Sequence, residues 1–580
     1  MRRTTGFPVI DSLIVLAIGL FSAFLSGSQS WAGFNSPDSE FYASLSLFGS
    51  EVTDRAIEPA YTWTRLGFIA PVRFLTQALG PWAGFAAWRF ILILLIAASL
   101  LWLVRQAGGG RALASAVALL AVLNTMVLSY VGNPYLTGTI IAATLLFIAL
   151  ATWCASGTAR VRLMPALLSG LVAGWLVMLN PYALFLGLTM WIGIRIVGLT
   201  RADTAGVPTD NRWRYRWRAV GRDLIAGVVG FAVSFAVFLG AGAVIFPGLN
   251  WVGTYLSWNS RLDYSSFISD PTIWTTDVAL LVPVAALAIS VLSLIVTRAS
   301  RWSVIATVIA GANIAFTLGY LALVPGPWLE APHYVAKLWP GALAATGLAF
   351  AAIVGARRLA PVAYAVLIAG VPLVIWAGHW TDQVSSAQGL LIAMAMVFAF
   401  LAAIVAVRRG NDVVRGVVVI AALIGIAVGA QLLQNGRGLI GIYGQYPFRA
   451  AYVDFNAQIL MQSKIDAEQW VIDHTTRADS VGIWSDPERA MSSVAAMQLW
   501  GKYNNVSGAA TLTREEFDAL EASKPSAIAM YAPTREQVDA FWSSLPPWSL
   551  PTTPECTTVV SFGFGVPEAY VCVTHLTWVG

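Results

Sequence analysis

Long uncharged apolar runs separated by short polar turns fill the first three quarters of the chain. A helix crossing a bilayer needs about 20 apolar residues. That ruler predicts about thirteen spans, at residues 8–27, 82–104, 112–131, 136–155, 163–180, 183–199, 223–246, 277–297, 302–323, 338–355, 361–378, 388–406 and 416–433. Arginines mark the turns between alternate spans. Arg2 and Arg3, Arg105 and Arg111, Arg160 and Arg162, the run from Arg201 to Arg222, Arg298 and Arg301, Arg357 and Arg358, and Arg408 to Arg415 all fall on one side. The turns at Asn133-Pro134-Tyr135, Asn180-Pro181-Tyr182 and 380–388 on the other side hold no Lys or Arg. Basic turns stay in the cytoplasm, so the N-terminus is expected inside, and the loop after the first span outside. Met1-Arg2-Arg3 before an apolar run resembles a signal peptide, but no small-residue cleavage site follows, so an uncleaved first helix is expected.

With an odd number of spans the tail lies outside as well. The expected division is a membrane domain over 1–435 and an exterior soluble domain over 436–580. The tail mixes helix and strand patterns: a helical stretch over 451–473, a strand from Ser480 to Trp484, and Asp486-Pro487 opening another helix. Thr513-x-x-Glu516 and Thr534-x-x-Gln537 have capping-box spacing, with a strand from Ser526 to Tyr531 between them. That order predicts a small α/β layered domain. Cys556 and Cys572 flank a hairpin-like segment and would pair in an oxidising compartment, or remain two thiols, since spacing alone does not fix their separation.

Composition agrees with this reading. The chain is 57% hydrophobic and 11% charged, with a mean hydropathy of +0.70, which excludes a soluble globular protein for most of its length. Orientation in the bilayer explains the arginines, so nucleic acid is not an expected partner. Three cysteines and four histidines leave little material for a metal centre, and no metal ligands are assigned.

Against that apolar background the first exterior loop stands out, with Asp38, Glu40, Glu51, Asp54 and Glu58. A carboxylate at the membrane surface can act as a general base on an acceptor hydroxyl. Asp38 is the candidate base, and Glu40 would orient the acceptor or hold a cation; the plain alternative is a solvated acidic loop. The loop at 325–340 brings His333, Tyr334 and Lys337 to the mouth of a span, where a cation can hold a lipid phosphate or simply reach the headgroups. Arg55, Arg65, Arg73 and Arg261 are further exterior cations. The loop at 250–277 adds Trp251, Tyr255, Trp258, Asp263 and Trp274, aromatics that suit either a membrane interface or a carbohydrate or lipid contact.

Two segments carry a resemblance. Asp38-Ser39-Glu40 followed by Phe41-Tyr42 resembles the acidic first-loop motif of the GT-C integral-membrane glycosyltransferases, a group that includes protein mannosyltransferases, aminoarabinose transferases, oligosaccharyltransferase catalytic subunits and mycobacterial arabinosyltransferases. The run from His333 to Pro340 is similar to their Arg-Tyr-x-x-Pro-x-x-Pro-like segment, with His333 in place of the arginine and Lys337 in place of the first proline. No Trp-Trp-Asp motif is present, which disfavours a peptide-asparagine acceptor. The resemblance implies a polytopic helical membrane enzyme that moves a hexose or pentose from a polyprenyl-phosphate donor to a hydroxyl of an envelope glycan, lipid or protein, such as an arabinan or mannan wall polymer. The donor phosphate would be held by His333, Tyr334 and Lys337, with Arg55, Arg261, Trp258 and Asp263 as substrate contacts. No cofactor is obligatory, and a divalent cation is compatible. Against it stand a transporter or flippase, which would carry broken helices and ionisable groups deep inside spans, and a non-catalytic envelope scaffold.

Overall fold

The computed structural model describes residues 9–25, 61–132 except Asn124, 136–156, 163–200, 212–261, 278–323, 336–355, 481–485, 503–505, 524–560 and 568–579, with a few isolated positions between them. The spans predicted at 361–378, 388–406 and 416–433, most of the helix predicted over 451–473, and the elements predicted at Asp486 and Thr513 lie outside the described residues.

The first part is a helical bundle. Its helices are α1 (Val9–Leu25), α2 (Leu66–Leu79), α3 (Pro81–Gln106), α4 (Arg111–Leu123), α5 (Thr125–Gly132), α6 (Leu136–Ser156), α7 (Leu163–Leu179), α8 (Pro181–Thr200), α9 (Arg212–Ile245), α10 (Trp251–Arg261), α11 (Val278–Val296), α12 (Arg301–Leu323) and α13 (Trp339–Gly355). Helices α3, α6, α8 and α9 contain apolar stretches long enough to cross a membrane by themselves, and α1, α4, α7, α11, α12 and α13 are shorter apolar helices. The chain is a multi-pass membrane protein. The span predicted at 112–131 is covered by α4 and α5 together, and the other predicted spans up to residue 355 each match one helix.

Two helices replace what the hydropathy pattern reads as loop. α2 contains Pro71, and its 14 residues reach about 21 Å against the roughly 30 Å of a hydrocarbon core. It buries Leu66, Phe68, Ile69 and Val72 while Phe74 is 71% exposed, the two-faced pattern of a helix lying at an interface. α10 starts where Asn250 Oδ1 accepts the Gly253 N–H at 3.0 Å. It turns Trp251 and Tyr255 inward and leaves Leu256 exposed.

Polar contacts sort the helix ends into two groups. At the basic end Asp11 accepts from Arg111 at 2.6 Å and lies 3.6 Å from Arg105. There Gln106 donates to Ala149 O and Arg301 to Ala155 O. Buried Arg195 reaches Asp223 at 2.6 Å and Cys154 O at 3.2 Å. These bonds put Arg105, Arg111 and Arg301 on one side of the bundle, the grouping their positions along the chain predict, and place Arg195, which falls within a predicted span, beside them. The opposite ends hold the candidate site.

The described part of the tail is a five-stranded mixed sheet of β1 (Val481–Ser485), β2 (Tyr503–Asn505), β3 (Ala527–Ala532), β4 (Glu555–Val560) and β5 (Glu568–His575), in the order β2-β1-β3-β5-β4. β1 runs parallel to β2 and β3, and β5 antiparallel to β3 and β4. α14 (Arg535–Ser543) covers one face, with Trp484 and Phe541 stacked at 4.4 Å. The alternate residues Ala527, Ala529 and Tyr531 pack with Val481, Val571 and Val573 on the other. Thr534 and Gln537 form the predicted capping box. Strands β1 and β3 each lie one residue later than predicted.

Cys556 and Cys572 face one another across the β4–β5 pair and form a disulfide. Closing a segment of sequence separation 16 restricts the unfolded chain by about 3 kcal/mol in the loop-entropy account. The double variant Cys556→Ser, Cys572→Ser in the intact protein is therefore expected to lose about that much stability in the sheet domain. Urea-dependent proteolysis of the tail measures it, and an unchanged midpoint would show that the bridge contributes no stability.

Candidate functional site

Arg65 is the starting point. It follows the short 3-10 turn Tyr61–Thr64 and precedes α2. Only 7% exposed, it donates from Nη1 to Leu179 O at 3.1 Å. That reach requires α2 to lie hard against the end of α7, and Gly67 permits it: a Cβ there would meet Leu179 Cγ at 2.8 Å and Leu179 N at 3.0 Å. Trp175 on α7 adds a second tie, donating from Nε1 to Gly67 O at 2.8 Å.

Three other elements meet this one. Trp251 on α10 donates to Thr64 O at 2.7 Å and stacks on Tyr255 at 5.5 Å. The Arg65 guanidinium sits 5.6 Å from the centre of the Tyr255 ring, a cation–π distance. At the α7–α8 turn, Asn180 Oδ1 accepts the Tyr182 N–H at 3.0 Å, and Tyr182 lies within electrostatic reach of both Tyr255 and Arg65. The fourth element is the 3-10 turn Ala336–Leu338, which presents Lys337 ahead of α13. Asn313 on α12 fixes that turn by donating to Leu338 O at 2.8 Å, and buried Trp339 anchors the helix behind it.

Lys337 and Arg65 act on one another. Burial, and after it the positive charge of Arg65, push the Lys337 ammonium down from 10.5 to about 7. Two cations brought together beside tyrosines lower each other's affinity for a proton and raise the site's affinity for an anion. A phosphate group is the natural occupant of such a pair, because a guanidinium fork and an ammonium both bind phosphate oxygens.

Of the site residues read from the sequence, Lys337 is placed in this cluster. Asp38, Glu40, Arg55, Asp263, His333 and Tyr334 lie outside the described residues. Trp258 and Arg261 fall in the described backbone of α10, and their side chains lie outside the description. Tyr42, next but one to Glu40, is fully buried edge-on to Phe68 of α2 at 6.0 Å. Arg73, another of the cations read from the sequence, donates to Ser46 O at 3.4 Å. In the sequence Arg65 is one of several cations, and nothing local joins it to Lys337. Tyr182 was visible only as the last residue of a charge-free turn. Among the described residues no cluster of His, Cys, Asp and Glu could hold a metal ion.

A helical membrane bundle of this order followed by a small mixed sheet is a fold shared with solved membrane-protein structures. In particular, the chain is similar in fold to ArnT from Cupriavidus metallidurans in the apo state, with TM-score 0.55 and 13% identity over 97% of each chain. It is equally similar to ArnT from that organism bound to undecaprenyl phosphate, with TM-score 0.55 and 15% identity over 97% of each chain. The arabinosyltransferase EmbB from Mycobacterium smegmatis aligns with TM-score 0.42 and 16% identity over 73% of this chain and 42% of its own. No family model and no curated protein sequence matches the chain.

Proposed function

We propose that this protein is a glycosyltransferase of the bacterial inner membrane that moves a hexose or pentose from a polyprenyl-phosphate donor to a hydroxyl of an envelope glycan, lipid or protein. The observation that carries the reading is the convergence of Arg65 and Lys337, from two distant exterior segments, on one site lined by Tyr182 and Tyr255. A fold shared with ArnT, one structure of which holds undecaprenyl phosphate, supports the lipid phosphate as occupant. Arg65, and Lys337 with His333 and Tyr334 just before it in sequence, would neutralise the charge that develops on the leaving phosphate, the largest contribution in most transfers of this kind. Protein cations suffice for that, so a divalent ion is optional.

Asp38 is the proposed base, with Glu40 orienting the acceptor. Three residues of chain lie between Asp38 and Tyr42, whose ring packs on Phe68 of α2. In the reaction the carboxylate takes the acceptor hydroxyl proton as that oxygen bonds to the anomeric carbon. The bond from that carbon to the phosphate oxygen breaks, and polyprenyl phosphate leaves.

Purified protein given a radiolabelled polyprenyl-phosphate sugar and an envelope acceptor is expected to release polyprenyl phosphate and label the acceptor. Labelled donor that merely crosses the bilayer unchanged would make the protein a flippase. The proposed orientation, with the N-terminus in the cytoplasm and both Asp38 and the sheet domain outside, has its own test. Cysteines placed at Ser36 and Ser507 should react with an impermeant reagent in intact cells, and protection of both until lysis would invert the orientation.

A further inference from the structure

Three helices begin at the end of the bundle that holds Arg65 and Lys337. α6 runs from Leu136 to the basic end, where Arg301 donates to Ala155 O. α8 runs the same way, from Tyr182 to Arg195 and its bond to Cys154 O. α13 starts at Trp339, and further along it a Cβ at Gly347 would meet Val104 Cγ2, beside Arg105, at 3.2 Å. The start of a helix presents N–H groups with no acceptor inside the helix, at the positive end of its dipole. The turn that bears Lys337 packs on α6, which itself packs on α8 and α13.

Two of these starts carry a buried donor. Thr137, in the first turn of α6, is fully buried, and Trp339, the first residue of α13, is 2% exposed. Among the described residues neither Thr137 Oγ1 nor Trp339 Nε1 has a hydrogen-bond partner. Unpaired buried donors weaken a fold, so they call for an acceptor from outside the chain. Periodicity gives Thr137 its direction. Ala155 lies about five turns further along α6 and so faces the same way, and it is Ala155 Cβ that a Cβ at Gly198 of α8 would meet, at 3.0 Å. Thr137 therefore faces α8 at the end where Tyr182 stands within electrostatic reach of Arg65. Two other buried hydroxyls of α6, Thr139 and Thr144, also lack a partner among the described residues. Thr139 is turned about 200° from Thr137, and Thr144 lies about 10 Å deeper.

We propose that the starts of α6 and α13 complete the anion site, the Thr137 hydroxyl and the Trp339 indole N–H donating to the phosphate oxygens of a lipid phosphate held by Arg65 and Lys337. The inference rests on the transferase reading for the identity of that lipid. Helix starts and neutral donors beside two cations suit an anion. Neither donor ionises near neutral pH, so their contribution is constant where that of Lys337 varies. A trapped water is the other group that satisfies such atoms, and in that case loss of the hydroxyl leaves lipid affinity unchanged.

The test is native mass spectrometry of the full-length protein in neutral detergent, titrated with undecaprenyl phosphate, beside thermal unfolding without lipid. Thr137→Val is expected to weaken the lipid about 10-fold, the scale of one hydrogen bond to a charged group, and equally on both sides of pH 7. Thr137→Ser should restore most of the affinity, and Trp339→Phe should cost about as much as Thr137→Val. Thr139→Val removes an equally buried hydroxyl from another side of the same helix and should leave affinity unchanged. Without lipid both valine variants should unfold no earlier than the wild type, because an unpaired buried hydroxyl replaced by an apolar group of the same shape loses no bond. Should Trp339→Phe fail to assemble, the threonine variants carry the test alone. Binding that Lys337→Ala weakens and Thr137→Val does not would overturn the inference and leave the transferase reading standing; a wild type that binds no undecaprenyl phosphate would overturn both. Equal losses from Thr137→Val and Thr139→Val, or earlier unfolding of lipid-free Thr137→Val, would make the hydroxyl structural and overturn the inference as well.

Discussion

Asp38→Asn is expected to abolish sugar transfer while leaving a folded, inserted protein that still binds the lipid donor. Asparagine keeps the size and hydrogen-bonding shape of the side chain and cannot accept the acceptor proton, so the lost contribution is that of general base catalysis, about 10² to 10⁴-fold in turnover. Donor binding should change little, since the phosphate is assigned to the cations. Glu40→Gln should cost less than Asp38→Asn if Glu40 only orients the acceptor, and comparably if the roles are exchanged. Turnover and donor affinity measured side by side on purified variants separate these outcomes. Near-normal turnover in Asp38→Asn would mean that the acidic stretch is a solvated loop and that another group takes the proton.

Lys337→Ala is expected to lower donor kcat/KM by about 10 to 100-fold, the range of one lost charge-assisted hydrogen bond to phosphate. Lys337→Arg should recover part of it, because the charge survives in a wider and more rigid head. The surroundings of Lys337 add a pH signature. In the empty site its ammonium loses its proton at about 7 rather than 10.5, because of burial and Arg65. An anionic donor favours the charged form, so below about pH 7 the ammonium is already present and affinity is flat. Above it each binding event must take up a proton, and affinity should fall up to tenfold per pH unit until the pKa of the complex is reached. Folding runs the other way: between about 7 and 10.5 the unfolded chain holds the extra proton, so the empty fold gains stability as pH rises through that window. Lys337→Arg should flatten the binding profile, since arginine stays charged throughout. A wild type and a Lys337→Ala variant with the same donor kcat/KM would assign Lys337 to headgroup contact alone.

Much of the architecture lies in the sequence because it depends on local pattern. Apolar runs of membrane length mark the spans, since each helix must satisfy its backbone within itself whatever its neighbours are. The arginine spacing sorts the helix ends, and the bonds of Asp11 and Arg301 at one end of the bundle agree with it. In the tail, the strands near Val481 and Ala527 and the capping box at Thr534 are equally local. The two short helices α2 and α10 escape that reading. They are too short for a span, α2 although apolar and α10 because polar residues interrupt it; burial of Phe68 and the packing of Trp251 against neighbours hold them as helices.

The site depends on tertiary contact throughout. In the sequence Lys337 is a lone lysine two residues before a tryptophan and Arg65 one of several loop arginines. Nothing local links positions so far apart. Gly67 packed on Leu179, the Arg65 bond to Leu179 O, and the Asn313 bond to Leu338 O bring the two cations together. The same holds for Cys556 and Cys572, whose spacing permits a bridge and whose pairing follows from the β4–β5 register. Sequence pattern determined which segments enter the membrane and which residues carry charge at its surface, because solvent preference is a property of each residue. Which of those charges share a site was decided by tertiary structure, because electrostatic and hydrogen-bonding partners are set by distance in space.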